Sequence, residues 1–285
     1  MNRRSFVAEL AALALVVGAS AQSCAPTAVR RRSWPLGVQL YTVRRELERD
    51  FERTLERIAS MGYAEVEFAG YFDSHARAVA SSLRQAGLDA PSGHFPLESL
   101  DNWDETLEFA SEVGHRYVVI PWVPPERRAG SRAYRELARA FNEAGARARR
   151  SGIRLAYHNQ EYDFTPADGA LPFDLLLAET DPELVEFQLD VYWMVKGGQD
   201  PLHYLRGRPG RFPMLHLKDS SGAPEHRMME VGSGTIDWPA ILNRGTEAGV
   251  RHLFVEHDEP ASAFASVEES FRYLQSLRLA EPRPR

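Results

Sequence analysis

The stretch FPMLHLKD, residues 212–219, shows the pattern that decides the fold: a short apolar run that ends in polar and ionisable side chains. Short apolar runs that alternate with helical stretches are typical of the strands of parallel sheets. Seven further stretches have the same character: GVQLYT (37–42), AEVEFA (64–69), LDAPSGHF (88–95), RYVVIPW (116–122), IRLAYHN (153–159), VEFQLDVYW (185–193) and HLFVEHD (252–258). The sequence therefore predicts eight strands that alternate with helices.

The segments between these runs are predicted to be helices, because apolar residues recur in them with helical spacing. One apolar stripe runs from Phe51 to Met61 at positions i, i+4, i+7 and i+10, and it stops at Gly62, a residue type that commonly ends helices. Further helices are predicted to end at Gly87 and Gly114, to cover residues 131–150, and to carry the stripe Val267, Phe271, Leu274 and Leu277.

Eight βα units in about 250 residues match the size of a closed barrel. We therefore expect an α/β fold with a single (β/α)8 TIM barrel over residues 36–280, followed by a short tail at 281–285. An open, doubly wound parallel sheet is the alternative, but no glycine-rich phosphate-binding turn follows any of the runs.

The first residues have the features of an export signal. Arg3 and Arg4 form a positive start, residues 7–17 form an apolar run that is too short to span a bilayer, and residues 19–21 offer a small-residue cleavage site. The paired arginines resemble a twin-arginine signal. We expect residues 1–21 to be cleaved and the mature protein to reside in the periplasm, without a membrane segment.

Residues 22–35 are interpreted as a linker to the barrel. The single cysteine of the chain, Cys24, lies in this linker. A lipid anchor at Cys24 is the weaker alternative, because Gln22 and Ser23 fit a lipoprotein motif poorly. With no cysteine after it, the fold holds no disulfide.

The charge of the chain argues against a nucleic-acid partner. The formal net charge is −6 at pH 7, and removal of Arg3, Arg4 and Glu9 with the signal makes the mature form one unit more negative, whereas nucleic-acid binding needs a basic face. The sequence leaves the oligomeric state open. Among 34 basic residues only Lys196 and Lys218 are lysines, which makes each a candidate for a position where arginine would not serve. The alternative, above all for Lys196, is a surface lysine without a special role.

Polar side chains stand at the carboxyl ends of nearly all the predicted strands. A strand that is buried on both faces should be almost continuously apolar, and the active site of a (β/α)8 barrel lies at the carboxyl ends of its strands. These positions therefore predict one shared site: Gln39, Tyr41, Glu67, His94, Trp122, His158, Asn159, Asp190, His216, Lys218, Glu256, His257 and Asp258.

The alternation of side chains along a strand places Asp190, His216 and Glu256 on inward faces of consecutive strands. Two carboxylates and an imidazole suit one divalent metal ion, such as Mn²⁺, Zn²⁺, Mg²⁺ or Co²⁺, and the lack of cysteine excludes a thiolate site. The alternative is that His216 is a hydrogen-bonded core histidine and that Asp190 pairs with Lys218.

An ordered set of segments resembles a known family: GVQLYTVRREL, GYAEVEFAGYF, SGHFPLE, YHNQEYDF, QLDVYWMVKGGQDP, LHLKD, VGSGTIDWPAIL and FVEHDEP. Over residues 36–278 the chain is similar to the sugar phosphate isomerase/epimerase family of the xylose-isomerase-like TIM barrel superfamily (AP endonuclease family 2 type), and to its exported bacterial members in particular. The resemblance implies a divalent metal held by an acidic residue after the fifth strand and by Asp190, His216 and Glu256.

The resemblance leaves the first ligand open. The exported members carry His-Asn-His-Asp-Phe-Glu-Phe after the fifth strand, whereas this chain has HNQEYDF at 158–164. The glutamate of that pattern falls on Asp163, and His158 ends the strand itself. We expect either Asp163 or His158 to be the ligand, with Glu161 as a further alternative.

The resulting hypothesis is a metal-dependent isomerase, epimerase or lyase that removes the proton α to a sugar carbonyl and relies on a metal-stabilised enediolate. The candidate bases are His94, His158 and a carboxylate near the metal, and Lys218 is placed to steady the oxyanion. A capping or packing role is the alternative for His94. Export favours an unphosphorylated sugar or a 3-keto-glycoside as substrate. The predicted substrate-binding residues are Gln39, Tyr41, Glu67, Trp122, Asn159, Glu161, Trp193 and Lys196.

Two other hypotheses stay open. An endonuclease-IV-like nuclease would need a histidine-rich trinuclear site and a basic groove for DNA. The other hypothesis is a non-catalytic sugar-binding barrel, in which the altered segment at 160–163 would be the cause of the lost activity.

Overall fold

The computed structural model describes residues 34–277, in which eight parallel strands form a closed barrel and follow one another around it in chain order. The strands are β1 (Leu36–Gln39), β2 (Glu65–Phe68), β3 (Asp89–His94), β4 (Tyr117–Ile120), β5 (Arg154–His158), β6 (Val185–Asp190), β7 (Met214–Leu217) and β8 (His252–Val255). The predicted (β/α)8 fold is therefore confirmed, and the doubly wound alternative is wrong.

The helices lie between the strands. They are α1 (Arg44–Arg49), α2 (Phe51–Ser60), α3 (Ala76–Ala86), α4 (Trp103–Val113), α5 (Gly130–Arg150), α6 (Pro172–Glu179), α7 (Val191–Lys196), α8 (Pro201–Gly207), α9 (Trp238–Ala248) and α10 (Ala263–Ser276). As predicted, α3 and α4 end at Gly87 and Gly114, which adopt left-handed φ values of 71° and 101°, a conformation that glycine reaches without strain. Within residues 34–277, no helix combines the length and apolarity needed to cross a membrane.

Several predicted strands are shorter than their apolar runs, because the chain turns into helix at the carboxyl end of the barrel. Leu40–Val43 forms a 3₁₀ turn directly after β1, and α7 begins directly after Asp190. The Asp190 side chain accepts a hydrogen bond of 2.9 Å from the backbone N–H of Trp193 and so caps α7. Residues 219–220 leave the barrel and pair with residues 228–229 in a separate two-stranded sheet.

The strands separate two apolar cores. Outward-facing residues such as Leu215 and Leu217 join the large core between barrel and helices, whereas Met214 and Phe254 belong to a small cluster inside the barrel. Gly37 is required beside Phe254, because a Cβ atom there would lie 2.6 Å from the phenyl ring. The small interior cluster fills the amino-terminal part of the barrel, which leaves the carboxyl end to polar side chains.

The predicted signal segment with Cys24, most of the predicted linker and the tail lie outside the described residues. Trp34, near the end of that linker, is buried, and its indole N–H donates to the carbonyl oxygen of Arg251 over 3.0 Å. The chain is therefore anchored to the barrel before β1 begins.

Candidate active site

Four side chains that can bind a metal meet at the carboxyl ends of β5 to β8. His158 ends β5, Asp190 ends β6 and is the ladder partner of His216 on β7, and Glu256 follows β8. All four are buried, and one nitrogen or oxygen atom of each lies within 4.8 Å of the others. The structure thus brings together Asp190, His216 and Glu256, as predicted from the strand period, with His158 as the fourth member.

Asp163 is not part of this group. Its carboxylate accepts hydrogen bonds of 3.0 and 2.9 Å from the Tyr157 hydroxyl and one of 2.8 Å from the backbone N–H of Gln160. These bonds close a capping box on the 3₁₀ turn Glu161–Phe164, and burial raises the pKa of Asp163 to about 7. Of the two residues expected as first ligand, the geometry supports His158 and not Asp163.

Lys218 is the internal cation of the site. Its Nζ lies 2.8 Å from Glu256 Oε2, 2.9 Å from Asp258 Oδ1 and 3.2 Å from Asp190 Oδ2. Burial disfavours the ammonium form, but these three carboxylates hold the pKa of Lys218 well above its usual value. Lys218 is therefore charged at neutral pH and acts as a donor. The alternative pairing of Asp190 with Lys218 is present as well.

His216 lies between two glutamates. Its Nδ1 is 2.8 Å from Glu256 Oε2 and its Nε2 is 2.5 Å from Glu67 Oε2. Burial favours the neutral ring, but both carboxylates raise the pKa of His216 to about 10. His158 differs, because burial lowers its pKa to about 4, so its ring is neutral at pH 7 and keeps a free lone pair.

The balance of charge fits a divalent cation. Within residues 34–277, the carboxylates of Glu67, Asp190, Glu256 and Asp258 contact the ammonium of Lys218 and the rings of His94, His158 and His216. Because His158 is neutral at pH 7, an excess of negative charge remains when all four acids are ionised. Such an excess is costly inside a protein unless it is compensated. Two carboxylates with two imidazoles are also a donor set that suits Zn²⁺, Co²⁺ or Mn²⁺.

Three residues that were predicted to bind substrate instead form hydrogen bonds within the protein. Glu67, Gln39 and Asn159 are each 0% exposed. Gln39 Nε2 donates to Glu67 over 2.7 Å, and the Asn159 side chain bonds to both the backbone N–H and the carbonyl oxygen of Asp190. Their polar atoms are occupied by the protein itself, so the prediction of direct substrate contact is not supported for these three.

The other predicted substrate residues lie around the mouth of the barrel. Tyr41 and Trp122 are 39% and 47% exposed, and Lys196 pairs with Glu161 over 2.9 Å. The ammonium groups of both lysines of the chain lie near the ring of Trp193, Lys196 at 5.0 Å and Lys218 at 5.4 Å from its centroid.

His94 stands beside the four candidate metal ligands. Its Nε2 is 2.8 Å from Gln188 Oε1 and 3.2 Å from Glu67 Oε2, and its ring centroid lies 5.3 Å from those of His158 and His216. Asp258 was predicted as one of the strand-end residues of the site but was given no role, and Gln188 was not selected from the sequence. The signal for Gln188 was present, because it lies two positions before Asp190 and therefore on the same face of the strand.

The barrel and the polar group at its mouth define a class: a (β/α)8 barrel with a candidate metal centre at the carboxyl ends of its last four strands. Residues 55–277 match the family model of the xylose isomerase-like TIM barrel. The chain belongs to this family, as its sequence resemblance indicated.

Several proteins that resemble this chain carry sugar-related names. The inosose dehydratase of Geobacillus kaustophilus is 24% identical over 68% of this chain and 69% of its own length, and other inosose dehydratases align over 62–64% of theirs. A sugar phosphate isomerase/epimerase from Parabacteroides distasonis superposes with a TM-score of 0.76 at 28% identity, covering 87% of this chain and 96% of that one. The IolI protein with a bound zinc atom shares the fold, with a TM-score of 0.68 at 15% identity over 85% of this chain and 97% of that one.

Proposed function

We propose that this protein is a divalent-metal-dependent isomerase, epimerase or lyase of an unphosphorylated sugar, acting by removal of the proton α to a carbonyl. The observation that carries the proposal is the buried group of His158, Asp190, His216 and Glu256 with its excess of negative charge. Relatives named for inosose dehydration and for sugar phosphate isomerisation support a carbohydrate as the substrate.

His158, Asp190, His216 and Glu256 would hold the ion. When bound, a divalent ion supplies Lewis acidity toward the carbonyl and hydroxyl oxygens of a sugar. The remaining steps belong to side chains of the barrel.

Proton removal needs a base within reach of the substrate. If His158 serves as a ligand, the base is His94, which is the next imidazole, 5.3 Å away between ring centroids. Its neighbour Gln188 holds the ring by a 2.8 Å contact to Nε2. In isomerisation the same imidazole would return the proton to the neighbouring carbon. In epimerisation a second group, on the opposite face of the planar intermediate, would supply the proton while the imidazole keeps the one it removed. In elimination a β-oxygen would leave and take up the proton from the imidazole.

Lys218 would stabilise the negative charge that develops on the substrate oxygen when the proton leaves. Its ammonium group is held by three carboxylates and is charged at neutral pH. A preorganised donor of this kind contributes about 2.7–4 kcal/mol to a transition state. A lysine suits this role because its ammonium is compact, whereas the guanidinium of arginine is a wide, planar fork.

The side chains around the mouth of the barrel would bind the sugar ring. Trp122 and Trp193 offer aromatic faces for the apolar side of a pyranose, and Lys196 with Glu161 offers a donor and an acceptor for hydroxyl groups. We further propose that residues 1–21 direct export to the periplasm. That location favours free sugars and 3-keto-glycosides over phosphorylated intermediates.

Metal content and proton exchange test the proposal together. The purified wild type should contain about one divalent ion per chain, and Glu256→Gln should lose it, whereas Glu259→Gln, which changes an exposed glutamate on the same loop, should retain it. Ketoses and 3-keto-glycosides incubated in D₂O should then incorporate deuterium at the α-carbon with the wild type and with Glu259→Gln only, as read by NMR.

The outcomes separate the candidate functions. Metal binding with saturable sugar binding but no exchange would identify a non-catalytic sugar-binding barrel, as the altered segment 160–163 suggested. A wild type that binds neither metal nor any sugar would overturn the proposal.

A further inference from the structure

The carboxylate of Glu67 is a hydrogen-bond hub inside the barrel. It is 0% exposed and lies on β2, across the barrel from the four candidate metal ligands. Both of its oxygens are surrounded by donors from four other strands: Gln39 Nε2 at 2.7 Å, Ser92 Oγ at 2.5 Å, Gln188 Nε2 at 2.7 Å, His216 Nε2 at 2.5 Å and His94 Nε2 at 3.2 Å. A buried carboxylate with so many partners is fixed in position.

This hub is not suited to bind a second metal ion. Ligand atoms of Glu67, His94 and His216 do lie within 4.8 Å of one another. However, the oxygens of Glu67 already accept from the amide groups of Gln39 and Gln188, and an amide nitrogen has no lone pair to offer a metal. The carboxylate is therefore built to accept hydrogen bonds.

The two ring nitrogens of His216 face in opposite directions. Nε2 points to Glu67, whereas Nδ1 points to Glu256 Oε2 at 2.8 Å and Asp190 Oδ2 at 3.8 Å. Imidazoles that bind a metal through one nitrogen generally donate the other N–H to a carboxylate or a carbonyl, which fixes the tautomer and the orientation of the ring. Glu67 has the position of that acceptor.

We propose that Glu67 is the positioning residue of the site: by accepting the Nε2–H of His216, it holds Nδ1 toward Asp190 and Glu256. The part of this inference that concerns metal affinity rests on the proposed function, whereas the orientation of the ring does not. Glu67 acts on the chemistry through the ring of His216, because its own oxygens accept hydrogen bonds from side chains of the barrel.

The same strand offers a matched control. Glu65 precedes Glu67 by two positions, is 5% exposed, and contacts His252 Nδ1 through both oxygens at 3.0 and 2.8 Å. Glu65 and His252 begin β2 and β8, at the amino-terminal end of the barrel. Glu65→Gln therefore disrupts a buried carboxylate–imidazole pair in the same strand without touching His216.

Zn²⁺ affinity is the first readout, measured by competition with a chromophoric chelator on the full chain. Glu67→Gln should bind Zn²⁺ about 10- to 100-fold more weakly than the wild type, the range found when the partner of a metal-binding imidazole is changed. Glu65→Gln should stay within about twofold of the wild type. Visible spectra with Co²⁺ should change in Glu67→Gln alone, because the altered ring orientation changes the coordination.

The second readout needs no metal. In metal-free protein labelled with ¹⁵N-histidine, the Nε2–H of His216 facing Glu67 and the Nδ1–H of His252 facing Glu65 should each give a low-field signal. Glu67→Gln should remove the Nε2–H signal of His216 and leave the signal of its Nδ1–H, which faces Glu256; Glu65→Gln should remove the signal of His252. If the wild type binds no Zn²⁺, the proposed function fails, and this spectrum still tests the role of Glu67. A Glu67→Gln protein that keeps both the Nε2–H signal of His216 and the wild-type Zn²⁺ affinity would overturn that role, as would equal weakening of Zn²⁺ binding by Glu65→Gln.

Discussion

Binding of Zn²⁺ should stabilise the folded protein, and Asp190→Asn should abolish most of that gain. Asp190 is fully buried, its Oδ2 lies 3.2 Å from both Lys218 Nζ and His158 Nε2, and its Oδ1 caps α7. Asparagine keeps an oxygen for the cap but removes the charge. Because Lys218 retains Glu256 and Asp258 as partners, we expect the metal-free variant to lose no more than about 3 kcal/mol of stability.

The magnitude follows from linkage. At a free Zn²⁺ concentration 100 times the wild-type Kd, the wild type gains about 2.7 kcal/mol, which for a domain of this size raises Tm by about 5–10 °C. Loss of a ligand should weaken binding by more than the roughly 100-fold caused by changes beyond the ligands. At the same Zn²⁺ concentration the variant then gains at most about 0.4 kcal/mol, a rise of about 1–2 °C.

Differential scanning calorimetry with and without Zn²⁺ measures both values. Asp237→Asn is the control, because Asp237 likewise caps a helix, by accepting from the N–H of Ala240 over 3.0 Å, but lies outside the site. The control should keep the full rise in Tm. Asp190 is not a metal ligand if Asp190→Asn keeps that rise too, and the site binds no Zn²⁺ if the ion leaves the wild-type Tm unchanged at every concentration.

Three further predictions concern pH, the internal cation and a close backbone contact. His115 donates from Nδ1 to the Ala90 carbonyl and accepts the Tyr71 hydroxyl at Nε2, both over 2.7 Å, and burial lowers its pKa to about 4. As pH falls from about 6.5 to 4, the imidazole of His115 takes up a proton in the unfolded chain but not in the folded one, which favours unfolding. Between pH 7.5 and 4.5, the free energy of unfolding of the wild type relative to His115→Gln, measured with urea, should therefore fall by about 2–3 kcal/mol. A difference that stays constant with pH would contradict this. Lys218→Arg should slow α-proton exchange at least about 100-fold, since removal of one preorganised donor has that effect. The control Lys196→Arg changes a side chain that is 30% exposed, and its exchange rate should stay within a few-fold of the wild-type rate. Equal rates in the two variants would refute the role of the Lys218 ammonium. Gly234→Ala should lower the free energy of unfolding by about 1–3 kcal/mol, measured with denaturant, because its Cβ would lie 2.2 Å from Asp219 Oδ1 and 2.3 Å from the Ser220 carbonyl oxygen. Gly207→Ala, with open space around the new Cβ, should be neutral or stabilising.

Much of the fold could be predicted because its signals are local. The apolar runs, the helical stripes and the helix-ending residues Gly87 and Gly114 depend on neighbours along the chain, and the structure confirms all of them. The ends of the strands were less accurate. Residues 191–193 continue an apolar run but form a helix, since the side chain of Asp190 caps it.

The candidate site divides in the same way. Asp190 and His216 could be paired from the strand period alone, because parallel strands in a barrel end at one level. The choice between His158 and Asp163 could not be made from spacing. It depends on the 3₁₀ turn after β5, in which Tyr157 and the Gln160 backbone turn the Asp163 carboxylate away from the barrel mouth.

By itself, the sequence determined that the chain is a (β/α)8 barrel with ionisable residues at the carboxyl ends of its strands, because periodicity and strand order are properties of adjacent residues. Only the tertiary structure decided what those residues do. Glu67 and His216 are 149 positions apart and meet across the barrel at 2.5 Å, and whether a buried carboxylate holds a histidine, caps a helix or faces a ligand depends on which donors closure of the barrel brings to it. Barrel closure therefore turned Glu67 from an expected substrate contact into the residue that positions His216.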